Sequence, residues 1–153
     1  ISLIKEVIKE KKIHTLWFEA HYMYRKKLAS FAEQFAPAKV KFRCGVETFD
    51  TALREAWKKG IPSSVSVQDI AQHFQGICLL CCTQGETKEH ILKDIELAKA
   101  HFEYFSVNVF CDNHTPIKQD KELVAWFVKE VYPMIKDDPR IEVLMENTDL
   151  GVG

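Results

Sequence analysis

Glu19, His21, Glu47, Asp112 and Glu146 all stand where a short β-branched or aromatic run gives way to a turn. A carboxylate at the mouth of a strand can accept from two vicinal hydroxyls, hold a cation or ligate a metal. Glu19-x-His21 and Asp112-x-His114 also place two metal-capable groups at i and i+2, on one side of an extended chain. A lysine, Lys59, follows Glu47 at the end of a charged segment, DTALREAWKKG. For any single one of these residues, a solvated strand-end charge explains the position as well as a ligand does. Their recurrence at equivalent places favours one shared site.

The elements that position them follow from periodicity. Residues 2 to 12 read as a helix with Leu3, Ile4, Val7 and Ile8 on one side, followed by a strand in HTLWFEAH. Tyr24, Leu28, Phe31 and Phe35 recur at helical spacing until Pro37. KVKFRCGVET is the second strand, and Asp50 caps a helix carrying Leu53, Ala56 and Trp57 that stops at Gly60 and Pro62. A short helix in VQDIAQHF precedes the third strand, GICLLCC. TQGET then turns the chain into a helix with Ile91, Leu92, Ile95, Ala98 and Phe102 inward. YFSVNVF and RIEVLME are the fourth and fifth strands, separated by a helix from Gln119 to Asp137 that kinks at Pro133. Strands joined by helical crossovers run parallel, in a doubly wound sheet or an arc of a (β/α) barrel. The expectation is α/β: a partial TIM-like barrel arc of about five units, far short of the closed eight.

Strand parity then assigns faces. Trp17, Glu19 and His21 oppose Leu16 and Phe18, while Lys41, Arg43, Gly45 and Glu47 oppose Val40, Phe42, Cys44 and Val46. Ser106, Asn108, Phe110 and Asp112 oppose Phe105, Val107, Val109 and Cys111; Glu142, Leu144 and Glu146 oppose Ile141, Val143 and Met145. A parallel sheet covered on both faces reads as a continuous apolar run. One recurrent polar face therefore points to a lumen, with Trp17, His21, Arg43, Asn108, Asp112 and Glu146 as candidates for lining it.

Composition narrows the classes. The 153 residues, 46% of them hydrophobic, supply one core and one domain, 1–153. With 21 basic against 22 acidic residues there is no nucleic-acid or membrane-surface signature. No apolar run approaches a membrane span of about 20 residues, and the charged N-terminus is unlike a secretory signal; the expected location is cytoplasmic. A first residue Ile1 and a closing Gly-Val-Gly that reads as another strand-end corner suggest an excerpt of a longer protein. No G-x-G-x-x-G or P-loop follows a strand. Five cysteines, an odd number, fit reduced and mostly buried thiols. Cys78, Cys81 and Cys82 point to opposite faces if the strand alternates, so they form no ligand set, and Cys44 and Cys111 belong to the core. His73, His90 and His101 fall on helices, with no site role expected.

GVETFDTALREAWKKG together with LLCCTQGETKEHILKDI resembles the radical S-adenosylmethionine (SAM) superfamily over essentially the whole chain. The matching features are a strand ending in Gly45 to Thr48, a helix carrying a basic residue at Lys59, and a later strand closing in the Gly85 to Thr87 turn. The resemblance implies a partial barrel that binds SAM against a [4Fe-4S] cluster and generates a 5′-deoxyadenosyl radical to abstract hydrogen from a substrate in the lumen. It implies Glu47 at the ribose hydroxyls, Glu19 at the ribose or methionine ammonium, Lys59 at the methionine carboxylate and Cys78 at a further cofactor-facing strand position. The family's C-x3-C-x2-C loop is absent. In relatives it follows the first strand, so the ligands are expected outside this chain, which alone would be inactive. The implied partners are a substrate of unknown class and the remainder of the barrel or another domain.

Two other readings start from the same residues. Glu19, His21 and Asp112 could serve a metal-dependent barrel hydrolase or isomerase in which the metal activates water. The half-barrel could also be a non-catalytic module that buries its polar face on a partner.

Overall fold

Parallel pairing starts between β1 (Thr15–Glu19) and β2 (Lys39–Glu47), with Thr15 beside Lys39 and Glu19 beside Arg43. The structure is a computed structural model that describes residues 1–146; the expected Gly-Val-Gly corner lies outside the described residues. β3 (Gly76–Cys81), β4 (Tyr104–Val109) and β5 (Ile141–Leu144) extend the sheet in the order β1-β2-β3-β4-β5, every neighbouring pair parallel. A doubly wound sheet reverses its strand order at a switch point. This one does not, and five βα-type units in sequence order make a barrel arc.

Curvature shows in which side chains meet. Trp17 of β1 and Tyr104 of β4 stand three strand spacings apart, on the order of 14 Å in a flat sheet, yet their ring centroids are 5.8 Å apart. Arg43 of β2 likewise reaches to 3.8 Å from Glu142 of β5. Only an inward curl brings those groups together. Gly76 lies beneath the aromatic pair: a Cβ there would sit 2.8 Å from the Tyr104 carbonyl oxygen and 3.0 Å from the Trp17 ring.

The helices cover the convex face alone, as strand parity predicts. Phe42, Cys44, Val46, Ile77, Leu79, Cys81, Phe105, Val107, Val109 and Ile141 are all buried in one core cluster, alternating with the lumen residues. Against them pack α4 (Val67–Ala71), α5 (Lys88–His101) and α6 (Lys121–Trp126), while α3 (Thr51–Ala56) buries only Arg54. Asp50, Ser66, Thr87 and Asp120 cap the four helices by accepting from backbone N–H groups of the first turn. α1 (Ser2–Lys11) and α2 (Leu28–Glu33) close a smaller cluster around Ile8, Phe35 and Ala38.

Several sequence expectations are corrected here. Leu92 is 41% exposed, and Asp94 takes the inward place beside Ile91, Ile95 and Ala98. Leu3 and Val7 face outward on α1, leaving Ile8 as its buried residue. Tyr24 belongs to a 3-10 turn, Tyr22–Lys27, and is exposed. The long helix before β5 breaks one turn ahead of Pro133, through a π-helical turn at Phe127–Val131, and resumes as α7 (Tyr132–Ile135). Proline has no N–H for the preceding turn and its ring crowds the carbonyl four residues back, so the ladder widens there. Among the described residues no helix is long and apolar enough to cross a membrane.

Candidate functional site

Glu47 closes β2 with a left-handed backbone, φ 69. Its register against β3 slips between Gly45 and Glu47, so Val46 is an extra residue: a bulge. A bulge re-aims the side chain that follows it, and both Val46 and Glu47 are buried. Non-glycine residues at positive φ are uncommon and costly, so the surroundings must hold this one in place.

Those surroundings are polar and specific. Lys59 Nζ lies 2.9 Å from Glu47 Oε1. Burial pushes the Glu47 carboxyl above its ordinary pKa, and the Lys59 charge and hydrogen bond pull it back. The cation therefore favours the ionised form of a carboxylate that burial would otherwise neutralise. Lys59 is itself fixed from the first strand: its carbonyl oxygen is 2.6 Å from His21 Nε2, while His21 Nδ1 accepts from the Met23 N–H. A carbonyl only accepts and an N–H only donates, so His21 carries its proton on Nε2. Both of its ring nitrogens are engaged, and it buttresses Lys59.

Gly45 leaves room between the two acids. A Cβ placed on it would sit 3.5 Å from Glu47 Oε1 and 3.8 Å from Glu19 Oε1. Two carboxylates thus converge on a gap that any side chain would fill. Beside it in register lie Cys78 and then Ser106. Burial pushes the Cys78 thiol up, which keeps it neutral. Asn108, one step further along β4, is buried with Oδ1 lacking a partner among the described residues.

Trp17 and Arg43 belong to the floor of the lumen, and Glu19 links Arg43 to that gap. Arg43 lies between Glu19 at 3.6 Å and Glu142 at 3.8 Å, Tyr104 donates its hydroxyl proton to Glu142, and Lys41 pairs with Glu103. A cleft of about 350 Å³, lined by Trp17, Phe18, Glu19, Arg43 and Tyr104, opens over this floor. Asp112 lies in the loop beyond β4, where it accepts from the Gln119 N–H, and His114 and Glu146 are exposed past their strands. The Glu19, His21 and Asp112 set does not assemble: Asp112 is held in its loop by the Gln119 N–H, and His21 is committed elsewhere. Among the described residues no three metal-capable side chains converge.

The cysteines depart from strict alternation at one place. β3 ends at Cys81 and Cys82 adopts φ 68, so the two sulfurs come within 3.7 Å instead of facing apart. Cys44 is fully buried, its thiol pushed up to about 12 by desolvation, as a core residue should be; Cys111 is only half-buried.

Sequence reading missed the groups that support the corner. Asp94 is buried on α5 and accepts from the Thr48 hydroxyl at 2.7 Å and the Phe49 N–H at 2.9 Å. A legible signal existed, since an aspartate interrupts the apolar stripe Ile91, Ile95, Ala98. His90 Nε2, 3.5 Å from Asp50, adds a contact on the same helix, where no role was expected. Glu86 turns inward after β3, its Oε1 accepting from the Thr83 N–H and hydroxyl and its Oε2 buried without a partner among the described residues. Burial pushes Glu86 up to about 7 from 4.5. Between those pH values the folded chain holds a proton that the unfolded chain has lost, so this group's stabilisation fades as pH rises from about 4.5 to about 7. E86Q should remove that slope, worth on the order of 3 kcal/mol. Urea midpoints of the two proteins that run parallel across the window would contradict this.

No family model and no curated protein matches this sequence. Among solved structures, queuine lyase from Clostridium spiroforme bound to SAM and queuine superposes with a TM-score of 0.88 at 37% identity over 99% of this chain. The chain belongs to the radical SAM superfamily. It spans 65% of the queuine lyase chain. Glu47 and Glu19 flank the space left by the absent Cβ of Gly45, and such a pair of carboxylates is a donor set suited to accepting from a vicinal diol like that of a ribose. The described residues fit SAM on that ground. They do not fit an iron–sulfur cluster, since their cysteines are dispersed and no three ligands converge.

Proposed function

We propose that this chain is the SAM-seating part of a radical SAM enzyme and that the enzyme acts on queuine or a closely similar flat heteroaromatic base. The observation that carries the cofactor half is the buried, lysine-paired Glu47 facing Glu19 across Gly45. The substrate half rests on the 37% identity to queuine lyase, maintained over 99% of the chain.

Each residue has a defined task in this reading. Glu47 accepts from the vicinal ribose hydroxyls, and Glu19, next to the same gap, holds a second hydroxyl or the methionine ammonium. Lys59 favours the ionised form of Glu47 against the upward push of burial; its ammonium has three donors, so it can serve the methionine carboxylate as well. Cys78 and Asn108 line the adjacent lumen wall. When bound, SAM supplies an activated sulfonium that opens hydrogen-abstraction chemistry. The polar lumen is then where the base sits, with Trp17 and Tyr104 offering aromatic surface at its floor. The enzyme is proposed to work in the cytoplasm, with the remainder of the barrel supplying the ligands of the iron–sulfur cluster.

The test is anaerobic reconstitution of the full-length protein followed by SAM binding and turnover of queuine. Saturable SAM binding with loss of queuine is expected. SAM binding without queuine turnover would remove the substrate assignment alone, and no SAM binding would remove the cofactor reading and favour a non-catalytic half-barrel.

A further inference from the structure

The Glu47 corner is a strained piece of backbone whose restraints come from a helix distant in sequence. Glu47 has φ 69, follows a bulge, and is succeeded by Thr48, fully buried, and Phe49. The ladder to β3 resumes after the slip with Glu47 beside Leu79 and ends there, so Thr48 and Phe49, which complete the turn, lie beyond β2. Asp94 of α5 supplies what is missing. One carboxylate oxygen accepts from the Thr48 hydroxyl at 2.7 Å and the other from the Phe49 N–H at 2.9 Å, and the Thr48 oxygen in turn accepts from the Asp50 N–H at 3.0 Å. Thr48 and Phe49 are thus tied directly to one buried side chain and Asp50 to it through Thr48, and Phe49 is further stacked on Phe102 at the end of the same helix.

We propose that Asp94 is the positioning residue of the Glu47 corner, holding Glu47 in its left-handed conformation so that its carboxylate meets Lys59 and the gap at Gly45. This inference rests on the reading of Glu47 as the ribose acceptor. Asp94 itself touches no cofactor; burying an aspartate among apolar neighbours is costly, and its two short bonds to the corner are the return on that cost.

The experiment uses the full-length protein carrying D94A, D94N or T48V, with two readouts. Amide hydrogen exchange at Phe49 should accelerate at least tenfold in D94A, with amides of α1 unchanged. SAM affinity by equilibrium dialysis should fall about tenfold or more in D94A and severalfold in T48V, with D94N restored to within about threefold because its amide oxygen still accepts from Phe49. If D94A does not fold, T48V decides through SAM affinity and through exchange at Asp50, whose N–H loses its acceptor on Thr48. Unchanged exchange at Phe49 in D94A, or at Asp50 in T48V, overturns the proposal, as does accelerated exchange with wild-type SAM affinity. A wild-type protein that binds no SAM overturns the cofactor reading instead, and exchange at Phe49 then still decides whether Asp94 holds the corner.

Discussion

Glutamine in place of Glu47 is expected to weaken SAM binding by about a hundredfold. The substitution keeps the volume of the side chain and one carbonyl oxygen for Lys59, which stands 2.9 Å from Glu47 Oε1. It removes the charge and turns one of two acceptors into a donor, so a ribose diol that presents two O–H groups finds one partner in place of two. Hydrogen bonds to charged groups contribute about 1.5–3 kcal/mol each; losing one and weakening the other amounts to about two decades of affinity. Alanine would do something different, leaving the partly buried Lys59 ammonium without its counter-charge and costing stability as well. The glutamine variant separates recognition from folding. Titration of the full-length protein with SAM, alongside a melting curve, reads both; an E47Q protein that binds SAM as the wild type does would remove Glu47 from the site.

The second large effect concerns shape. Gly76 of β3 lies under the contact between Trp17 and Tyr104, and a methyl group on it would come within 2.8 Å of the Tyr104 carbonyl oxygen and 3.0 Å of the Trp17 ring. The first neighbour is backbone and cannot rotate aside; the second can move only by leaving Tyr104. G76A should therefore cost about 1–3 kcal/mol, the usual range for overpacking a tight site. It should also flatten the arc locally, because the strands on either side of β3 must separate to accept the methyl group. The expected result is a lower denaturation midpoint together with a changed Trp17 emission, since Trp17 is 42% exposed in the lumen and reports on that contact. A G76A protein with unaltered midpoint and emission would show that the floor is slack, and that the curl is set by the helices on the convex side.

Much of the fold was legible because a parallel sheet covered on one face leaves a period-2 signature. Val40, Phe42, Cys44 and Val46 alternate with Lys41, Arg43, Gly45 and Glu47, and the structure puts the first set in the core and the second toward the lumen until the bulge. Caps were readable for a similar local reason, as Asp50 accepts from the Leu53 N–H three residues on. Strand-end acids were visible as a class, although the sequence could not sort them. Glu19 and Glu47 converge on Gly45, while Asp112 ties down a loop and Glu146 lies beyond its strand. His21 looked like a metal ligand and is a buttress, because the direction of its ring is set by a carbonyl 38 residues away.

The sequence by itself determined the alternation of helices and strands, the polar and apolar faces, and the acids and the lysine available at the strand ends, all of which follow from spacing within a dozen residues. Only the tertiary structure decided which of those groups meet. The bulge at Val46, the left-handed Glu47, the grip of Asp94 and the closure of Trp17 on Tyr104 over Gly76 join segments from tens of residues to almost ninety apart. Contacts of that range depend on the curl of the sheet, and curl is a property of strands packed together that no local pattern encodes.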